Sequence, residues 1–374
     1  MRSTNSAHLE RWLGTDGVEQ VSRSVRGFYG PPIALAGVPG NVYICGDGDF
    51  IGECRAGYEM SAQDRLADIL RRAKRAARVV SREQRHRLNS GFAGLSEVVT
   101  EFFNGKGQTI PFARTSPVVG TGAPISLWAS GATGATPDLG TAAASAAPSG
   151  DVLTSATTGS LTFNNAVSGE TLHFIEGVMA CGTSQHCLML YDRLFQVGKT
   201  MSSTSTESVT GTPTRYQSTT ATNPDYIGGN FIFPEVSSGL SATAHNWDAV
   251  YTNQAGTGSK SAQTVTGNSS GALYRIDMST YQWFMPLATN DVGVKSLNSM
   301  TCSASVTGGV NFVLGHPIAI LPTINSGFVS KIDGMVTAFN LTRVFDDACL
   351  AFLDICPGSS SQTYVNGYVR LASS

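Results

Sequence analysis

Ionised side chains are scarce in this chain. Asp, Glu, Lys and Arg make up 14% of its 374 residues, against roughly 25% in an average soluble domain. A free cytosolic enzyme stays soluble largely through surface charge, so the composition argues against that class. It suits a protein whose surfaces are covered by copies of itself or by partners.

Long apolar runs are also lacking. No run reaches the roughly 18 residues that a transmembrane helix needs, so we expect no membrane partner. The opening residues Met1–Asn5 lead into polar sequence rather than into a signal peptide. We therefore expect synthesis in a cytosol without passage through a membrane.

Motifs for catalysis and metal binding are missing or incomplete. The six histidines are scattered, and Cys181, His186 and Cys187 lack the C-x-x-C spacing of a structural zinc site. Gly267–Gly271 matches G-x-S-x-G but lacks the strand and helix that flank a nucleophile elbow. The prediction is a non-enzyme with no catalytic residues, cofactor or metal, and a hydrolase centred on Ser269 stays as an alternative.

Most of the seven cysteines form pairs that are close in sequence: Cys45 with Cys54, Cys181 with Cys187, and Cys349 with Cys356. Such spacings could close hairpin disulfides in an oxidising environment. Free buried thiols are the alternative. We predict a Cys45–Cys54 bridge in the mature protein.

The composition changes along the chain and divides it into four parts. Residues 1–58 suggest an arm with small β elements, 59–105 a helical hairpin with a basic face, and 106–169 an extended linker. Residues 170–374 contain short alternating apolar runs such as Cys187–Phe195, separated by turn residues. This pattern predicts a mainly β chain with an antiparallel β-sandwich at its C-terminal end.

The helical hairpin is predicted from two amphipathic stretches. The first begins near Ser61, and its basic face could meet acidic protein or nucleic acid, although a solvated face is the alternative. It has no interleaved aromatic residues, which makes nucleic acid a less favoured partner. The second ends at Asn104 and Gly105, a left-handed stop. The predicted docking residues are Arg71, Arg72, Arg75, Arg78, Phe102 and Phe103.

The predicted linker, 106–169, consists largely of Ala, Gly, Ser, Thr and Pro. Such a segment buries too little apolar area to fold alone. We expect an extended arm that is ordered by contacts with other subunits.

Four short motifs follow one another in the C-terminal part: Tyr191–Phe195, Pro213–Tyr216, Tyr251–Gly256 and Asp291–Ser296. This series resembles virion structural proteins of tailed bacteriophages, mostly of uncharacterised role. The resemblance covers residues 187–321 best. It implies a jelly-roll-like sandwich on the head or neck of a virion, made in the host bacterial cytoplasm, and it supplies no functional residues.

These observations together predict a structural component that builds or stabilises a capsid or neck shell, as a decoration, cement or collar protein. We expect a homotrimer or another closed ring, with major capsid or neck proteins as further partners. One alternative is the major shell subunit itself. Another is a receptor- or glycan-binding fibre module that uses exposed tyrosines and Trp247 or Trp283.

Overall fold

The computed structural model divides the chain into two units, Met1–Val80 and Ser81–Ser374, and each is treated by itself. It describes residues 8–13, 19–24, 92, 95–115, 124–128, 145–182, 186–221, 223, 225–268, 273–279, 282–322, 329–334, 342–355 and 364–374. In the first unit, strands β1 (His8–Leu13) and β2 (Glu19–Ser24) form an antiparallel hairpin. The first predicted helix, with its four docking arginines, lies outside the described residues.

The second unit is built almost entirely of strands, with one described helix, α1 (Leu95–Phe103). The strands are β3 (Gly107–Thr115), β4 (Ile125–Ser126), β5 (Asp151–Val152), β6 (Leu172–Cys181), β7 (Cys187–Thr200), β8 (Glu207–Ser208), β9 (Phe231–Ser238), β10 (Asn246–Asn253), β11 (Lys260–Ser261), β12 (Val265–Thr266), β13 (Val294–Cys302), β14 (Gly309–Pro322), β15 (Val329–Asp333), β16 (Arg343–Val344), β17 (Leu350–Asp354) and β18 (Tyr364–Ser373).

These strands form three antiparallel sheets. The central sheet has the order β4-β17-β7-β14-β9, with β5 beside β7. The helix-bearing sheet has the order β15-β6-β18-β3, with β16 beside β6, and the polar sheet has the order β11-β10-β13-β8, with β12 beside β10. The predicted mainly β, antiparallel class is confirmed.

The central sheet lies between the other two. On β17, Leu350 and Phe352 join a core cluster shared with the helix-bearing sheet, whereas Ala351 and Leu353 join a cluster shared with the polar sheet. Successive side chains of a strand point to opposite faces, so both faces of the central sheet are covered. Each fully buried large apolar side chain there contributes roughly 1.5–3 kcal/mol, which makes this sheet the core of the unit.

The segment 106–169, predicted to be an extended linker, differs from that prediction in its described parts. Strand β3 pairs with β18 along its length. Several apolar side chains of the segment are buried in the two main cores: Ile110, Phe112, Ile125, Leu127, Trp128, Leu153 and Leu161. A few apolar residues at the right positions suffice once β18 supplies hydrogen bonds, so the described parts of this segment belong to the folded unit.

Helix α1 packs on the helix-bearing sheet. Val98 and Phe102 contact Phe92, Ile175 and Ala372 in a third, smaller core cluster. The helix stops as predicted: Gly105 has φ of +78°, and the amide of Lys106 donates to the carbonyl of Glu101 at 2.9 Å. The second predicted helix is thus confirmed, while its pairing with a first helix stays a prediction.

Candidate interaction surface

Several buried charged groups in the core of the second unit pair with one another. Arg193 donates two hydrogen bonds to Glu235, at 2.8 and 2.9 Å, and lies over the Trp128 ring at 4.9 Å. Both charged residues are almost fully buried. Burial alone would lower the pKa of Arg193, but Glu235 raises it above its ordinary value. The pair is a structural element with no open position for a ligand.

A second buried pair lies beside the first in sequence. Asp192 accepts two hydrogen bonds from Arg215, both at 2.7 Å, and one from the amide of Cys349 at 2.9 Å. Burial raises the pKa of the Cys349 thiol to about 12. Because the thiolate is the reactive form of cysteine, burial makes Cys349 a weak nucleophile.

The described part of the chain contains two buried His–Asp pairs of the kind found in a catalytic triad. His186 Nδ1 lies 2.5 Å from Asp354 Oδ2, and the other pair joins His245 to Asp277. His245 Nε2 lies 2.6 Å from Asp277 Oδ2, and its Nδ1 lies 2.8 Å from the carbonyl oxygen of Thr243. Burial opposes the charged form of His245, but the hydrogen bonds to Asp277 and Thr243 outweigh it and raise its pKa. A general base needs one ring nitrogen facing the nucleophile, and both nitrogens of His245 are engaged. Ser269 itself lies outside the described residues.

His316 is held in its neutral form. Its Nδ1 lies 2.6 Å from Asn230 Oδ1, and its ring stacks on Tyr216 with 3.7 Å between centroids. Burial lowers its pKa to about 3. Within the residues that the structure describes, no three His, Cys, Asp or Glu side chains come together as a metal site.

The outer face of the polar sheet carries hydroxyl and amide groups that pair across strands. Thr206 and Thr301 share a hydrogen bond at 2.8 Å, Thr252 donates to Asn298 at 3.1 Å, and Thr264 donates to Asp248. Cross-strand polar pairs of this kind stabilise a sheet while facing solvent. The outer face of the polar sheet is therefore compatible with exposure to solvent.

The outer face of the helix-bearing sheet carries more apolar side chains than the outer face of the polar sheet, and the pairing register shows which residues share it. One row across the four strands is Pro111, Tyr368, Val178 and Lys331, and the next is Ala113, Asn366, Ala180 and Val329. Tyr364 lies on β18 two residues before Asn366 and on the same side of the strand. We call Pro111, Ala113, Val178, Ala180, Val329, Tyr364, Asn366 and Tyr368 the open face.

Five of the eight side chains of the open face are exposed, and the other three, Val178, Ala180 and Tyr368, are half-buried. Val329 is 68% exposed and Tyr364 58%, and Pro111 and Ala113 are also exposed. Their sequence neighbours Phe112 and Val365 point inward and are buried. The alternation shows that the open face is the outer surface of a normal strand pattern and not a frayed edge.

A balanced charge cluster borders the open face on the side of α1. Glu176 accepts a hydrogen bond from Lys331 and lies 2.9 Å from Arg370, while Asp333 lies 4.0 Å from Lys331. The guanidinium of Arg370 lies over the Tyr368 ring at 5.2 Å and the Phe102 ring at 5.9 Å. The cluster is neutral and connects the open face with the helix.

Helix α1 presents a second apolar feature, its outward edge. Val99 is 50% exposed and Phe103 is 89% exposed. Residues four apart lie side by side on a helix, so the two form one patch, which we call the helix edge. Phe103 thus has the exposure that an apolar docking residue needs.

Phe102, the other aromatic residue predicted to dock, requires a correction. Its ring belongs to the core cluster under α1 and lies so close to Gly107 that a Cβ there would stand 2.1 Å from it. It is a packing residue of its own chain. Helical spacing explains this outcome, because Val98 and Phe102 share the inward face of α1 whereas Val99 and Phe103 share the outward one.

The aromatic residues considered for glycan binding also require a correction. Trp247, Tyr191 and Tyr251 are fully buried, and Trp247 donates its indole N–H to Asp277 at 2.8 Å. A buried ring cannot stack on a sugar. Trp283 is 37% exposed, so it alone remains of the two tryptophans named.

The predicted cysteine pairs are only partly covered by the described residues. Cys181 ends β6 in the helix-bearing sheet, whereas Cys187 begins β7 in the central sheet. Cys349 carries a buried free thiol. Cys45 and Cys54 lie outside the described residues, so their bridge stays a prediction. Because its thiol is free, Cys349 does not form the bridge considered for it.

Sequence reasoning missed the open face. Its signal is the alternation of Tyr364, Asn366 and Tyr368 with Val365 and Val369, which marks one exposed and one buried side of a strand. The sequence does not show that β3 lies beside β18, because these strands are separated by almost the whole unit. The two rows of residues therefore appear only in the folded chain.

Comparison with protein-family models, with curated proteins and with solved structures finds no match to this chain. Over the part of the chain that the structure describes, no helix has the length and apolar character needed to span a membrane.

Proposed function

We propose that this protein is a structural subunit that works by assembling, as an accessory component of a tailed-phage virion of the decoration, cement or collar kind. The observation that carries the proposal is the difference between the two outer sheets. One bears hydrogen-bonded hydroxyl and amide pairs, and the other bears the exposed apolar open face with Val329 and Tyr364. Contiguous apolar patches on a protein surface mark interaction sites, so the helix-bearing sheet is the assembly side.

The interior supports a mechanical role. Several of its charged groups are paired within the core, as in Arg193 with Glu235 and His245 with Asp277. Such pairs fix the relative positions of strands far apart in sequence. A rigid body with both faces of its central sheet buried suits a subunit that must resist deformation in a shell.

The motifs behind the phage resemblance also support a framework role. Asp192 in the first motif pairs with Arg215 in the second, and Tyr251 in the third donates to Asp291 in the fourth at 2.7 Å. The motifs thus contact one another in pairs, the first pair in the core and the second at its margin. We infer that the resemblance concerns the fold, a sandwich of jelly-roll type, and not a shared chemistry.

In this proposal the basic segment with Arg71, Arg72, Arg75 and Arg78 attaches the body to its neighbours in the particle. The test is the double reversal Arg72→Glu with Arg75→Glu, followed by the copy number of the protein in purified virions. The expected result is a folded body with an unchanged circular dichroism spectrum and a much lower copy number. The reason is that reversed charge repels the acidic surface that the segment meets.

The matched control is the double reversal Lys260→Glu with Lys295→Glu, on two strands of the polar sheet. It changes the net charge equally and should leave the copy number unchanged. If the arginine variant loads at the wild-type level, the attachment role is wrong. Gel densitometry of the same virions separates an accessory subunit from the major shell protein, because the latter outnumbers every other chain.

A further inference from the structure

We infer that His245 and Asp277 form a pH-sensitive clasp inside the second unit, closed while both ring nitrogens of His245 carry a proton and loosened when one proton is lost. The clasp fastens the chain just before β10, in the polar sheet, to the segment 273–279, which is bonded to the central sheet. The inference goes beyond the proposed function and does not depend on it, because the clasp lies within one chain.

Both ring nitrogens of His245 face oxygen atoms that accept hydrogen bonds. Nε2 lies 2.6 Å from Asp277 Oδ2, and Nδ1 lies 2.8 Å from the carbonyl oxygen of Thr243. A neutral imidazole has one N–H group, so beside a carboxylate and a carbonyl it satisfies only one of these two contacts. The imidazolium ion has two N–H groups and satisfies both. The geometry is therefore that of a positively charged His245.

Asp277 has the partners of a carboxylate. Besides facing His245, its Oδ2 accepts the indole N–H of Trp247 at 2.8 Å, and its Oδ1 accepts the backbone N–H of Asn268 at 2.8 Å. Three donors directed at one carboxyl group favour its ionised form. The side chains of His245 and Asp277 are both 0% exposed. The ion pair is thus shielded from water, and a loss of either charge leaves the other one buried without its partner.

The clasp connects two sheets of the second unit. Trp247 belongs to β10 and Asn268 follows β12, and both strands lie in the polar sheet. The amide of Asp277 itself donates to the carbonyl oxygen of Pro234 on β9, in the central sheet, at 2.8 Å. When His245 loses a proton, the lone pair of one ring nitrogen faces an oxygen atom, so we expect the attachment of β10 and β12 to loosen.

The other ionisable groups near the clasp leave Asp277 as the charge that the His245 proton balances. On β13, the thiol of Cys302 lies near Asp277, and burial raises its pKa, so it stays neutral. The charge of Lys199 on β7 also acts on that thiol, but Lys199 is paired with Glu207 at 2.8 Å. Among the described residues, Asp277 is the charged side chain that acts on the pKa of His245.

Alkaline solution, not acidic solution, is expected to loosen the clasp. Burial lowers the pKa of His245, but its hydrogen bonds to Asp277 and Thr243 outweigh burial, and the net shift is upward. The folded chain therefore binds this proton more tightly than the unfolded chain does. The resulting stabilisation is fully present below the ordinary histidine pKa of 6.5 and is lost as the pH rises through the higher pKa of the folded state.

The protonation of His245 is measured by nitrogen NMR of the full chain with isotope-labelled histidine, and His245→Gln assigns its signals by their loss. At a pH of about 6, both ring nitrogens should carry a proton, and one proton should be lost at a higher pH than in an unfolded peptide. Asp277→Asn should move this titration to lower pH, because the carboxylate is gone. A singly protonated ring in the wild type at a pH of about 6 would overturn the inference, as would an unchanged titration in Asp277→Asn.

The loosening is measured by amide hydrogen exchange of the full chain, as protection factors of residues 265–268 at a pH of about 6 and of about 9. The amide of Gly267 donates to the carbonyl of His245 at 2.9 Å, so this segment reports on the clasp. In the wild type its protection should fall severalfold more than that of the paired strands β7 and β14. In His245→Gln, which has no titrating ring, protection should be low at both pH values.

His316→Gln is the matched control. Burial lowers the pKa of His316 to about 3, so its ring is neutral over the whole range, and its replacement should leave the pH profile of residues 265–268 unchanged. The same fall in protection in the wild type and in His245→Gln would show that another group titrates and would overturn the inference. If His245→Gln does not fold, the NMR titrations of the wild type and Asp277→Asn still decide.

Discussion

At the scale of single residues, this protein is defined by charges that the fold places in its interior. Arg193 and Glu235 are separated by 42 positions in sequence, and each is buried because the other is there. The cost of removing two ions from water is offset by their attraction only when the pair is complete and well hydrogen-bonded. Such a pair therefore fixes one arrangement of strands, since other arrangements would leave a charge unpaired.

This interpretation predicts a large loss of stability on Glu235→Ala. The substitution leaves the Arg193 guanidinium buried with Gln196 and Tyr191 as its remaining polar partners, and breaking a buried pair in this way costs about 3–5 kcal/mol. The measurement is the free energy of unfolding in urea, at neutral pH.

Asp225→Ala provides the control for that measurement. Asp225 pairs with Arg343 at the surface, where the two side chains are 42% and 32% exposed, and removing a solvent-exposed pair costs about 0–1 kcal/mol. Equal losses for the two variants would contradict the assignment of Arg193 and Glu235 as a structural pair.

Single residues also show the limits of sequence reasoning. Trp247 is fully buried and Trp283 is partly exposed. The sequence pattern did not distinguish them, because both tryptophans follow turn residues near strands. The difference is set by Asp277, thirty positions after Trp247, which accepts its indole N–H. Long-range partners of this kind are invisible until the chain is folded.

At the scale of elements, the end of α1 was predictable, whereas the role of β3 was not. The sequence Asn104-Gly105 is a local stop signal for a helix, because glycine adopts the left-handed conformation without a steric cost. Strand β3 lies in a segment rich in small and polar residues, and its order depends on β18 at the other end of the chain. Local composition predicts local structure well and strand partners poorly.

Substitution of Gly367 by alanine tests how closely β18 and β6 of the helix-bearing sheet are packed. A Cβ added there would stand 1.9 Å from the carbonyl oxygen of Val178 on β6, so Gly367→Ala forces β18 away from β6. Overpacking of this kind costs about 1–3 kcal/mol, occasionally more. The clash is with a backbone carbonyl, so no change of side-chain rotamer can relieve it. We expect a destabilisation of about 3 kcal/mol, measured by urea unfolding.

The control is Gly239→Ala. No atom lies within 4 Å of a Cβ built at Gly239, and its backbone is not left-handed, so the change should stay within about 0.5 kcal/mol. An equally small effect of Gly367→Ala would mean that β18 and β6 are not in this register.

At the scale of the whole second unit, the central claim is that its two outer sheets have different tasks. The polar sheet faces solvent with its hydroxyl pairs, and in our proposal the helix-bearing sheet offers an apolar surface to a partner. The low charge of the chain, visible in the sequence, led to the expectation of a protein that is covered in use. Which surface is covered depends on how β3, β18, β6 and β15 line up, and only the folded chain shows that.

Hydroxyl-radical footprinting of the full chain tests this claim most directly, because it reports the solvent exposure of individual side chains. The protein is labelled once in dilute solution and once at a concentration where it is assembled. The account predicts that oxidation of Tyr364 and Phe103 falls severalfold on assembly, while Trp283 outside the proposed contact is labelled equally in both samples. Unchanged labelling of Tyr364 and Phe103 in the assembled protein would contradict the account.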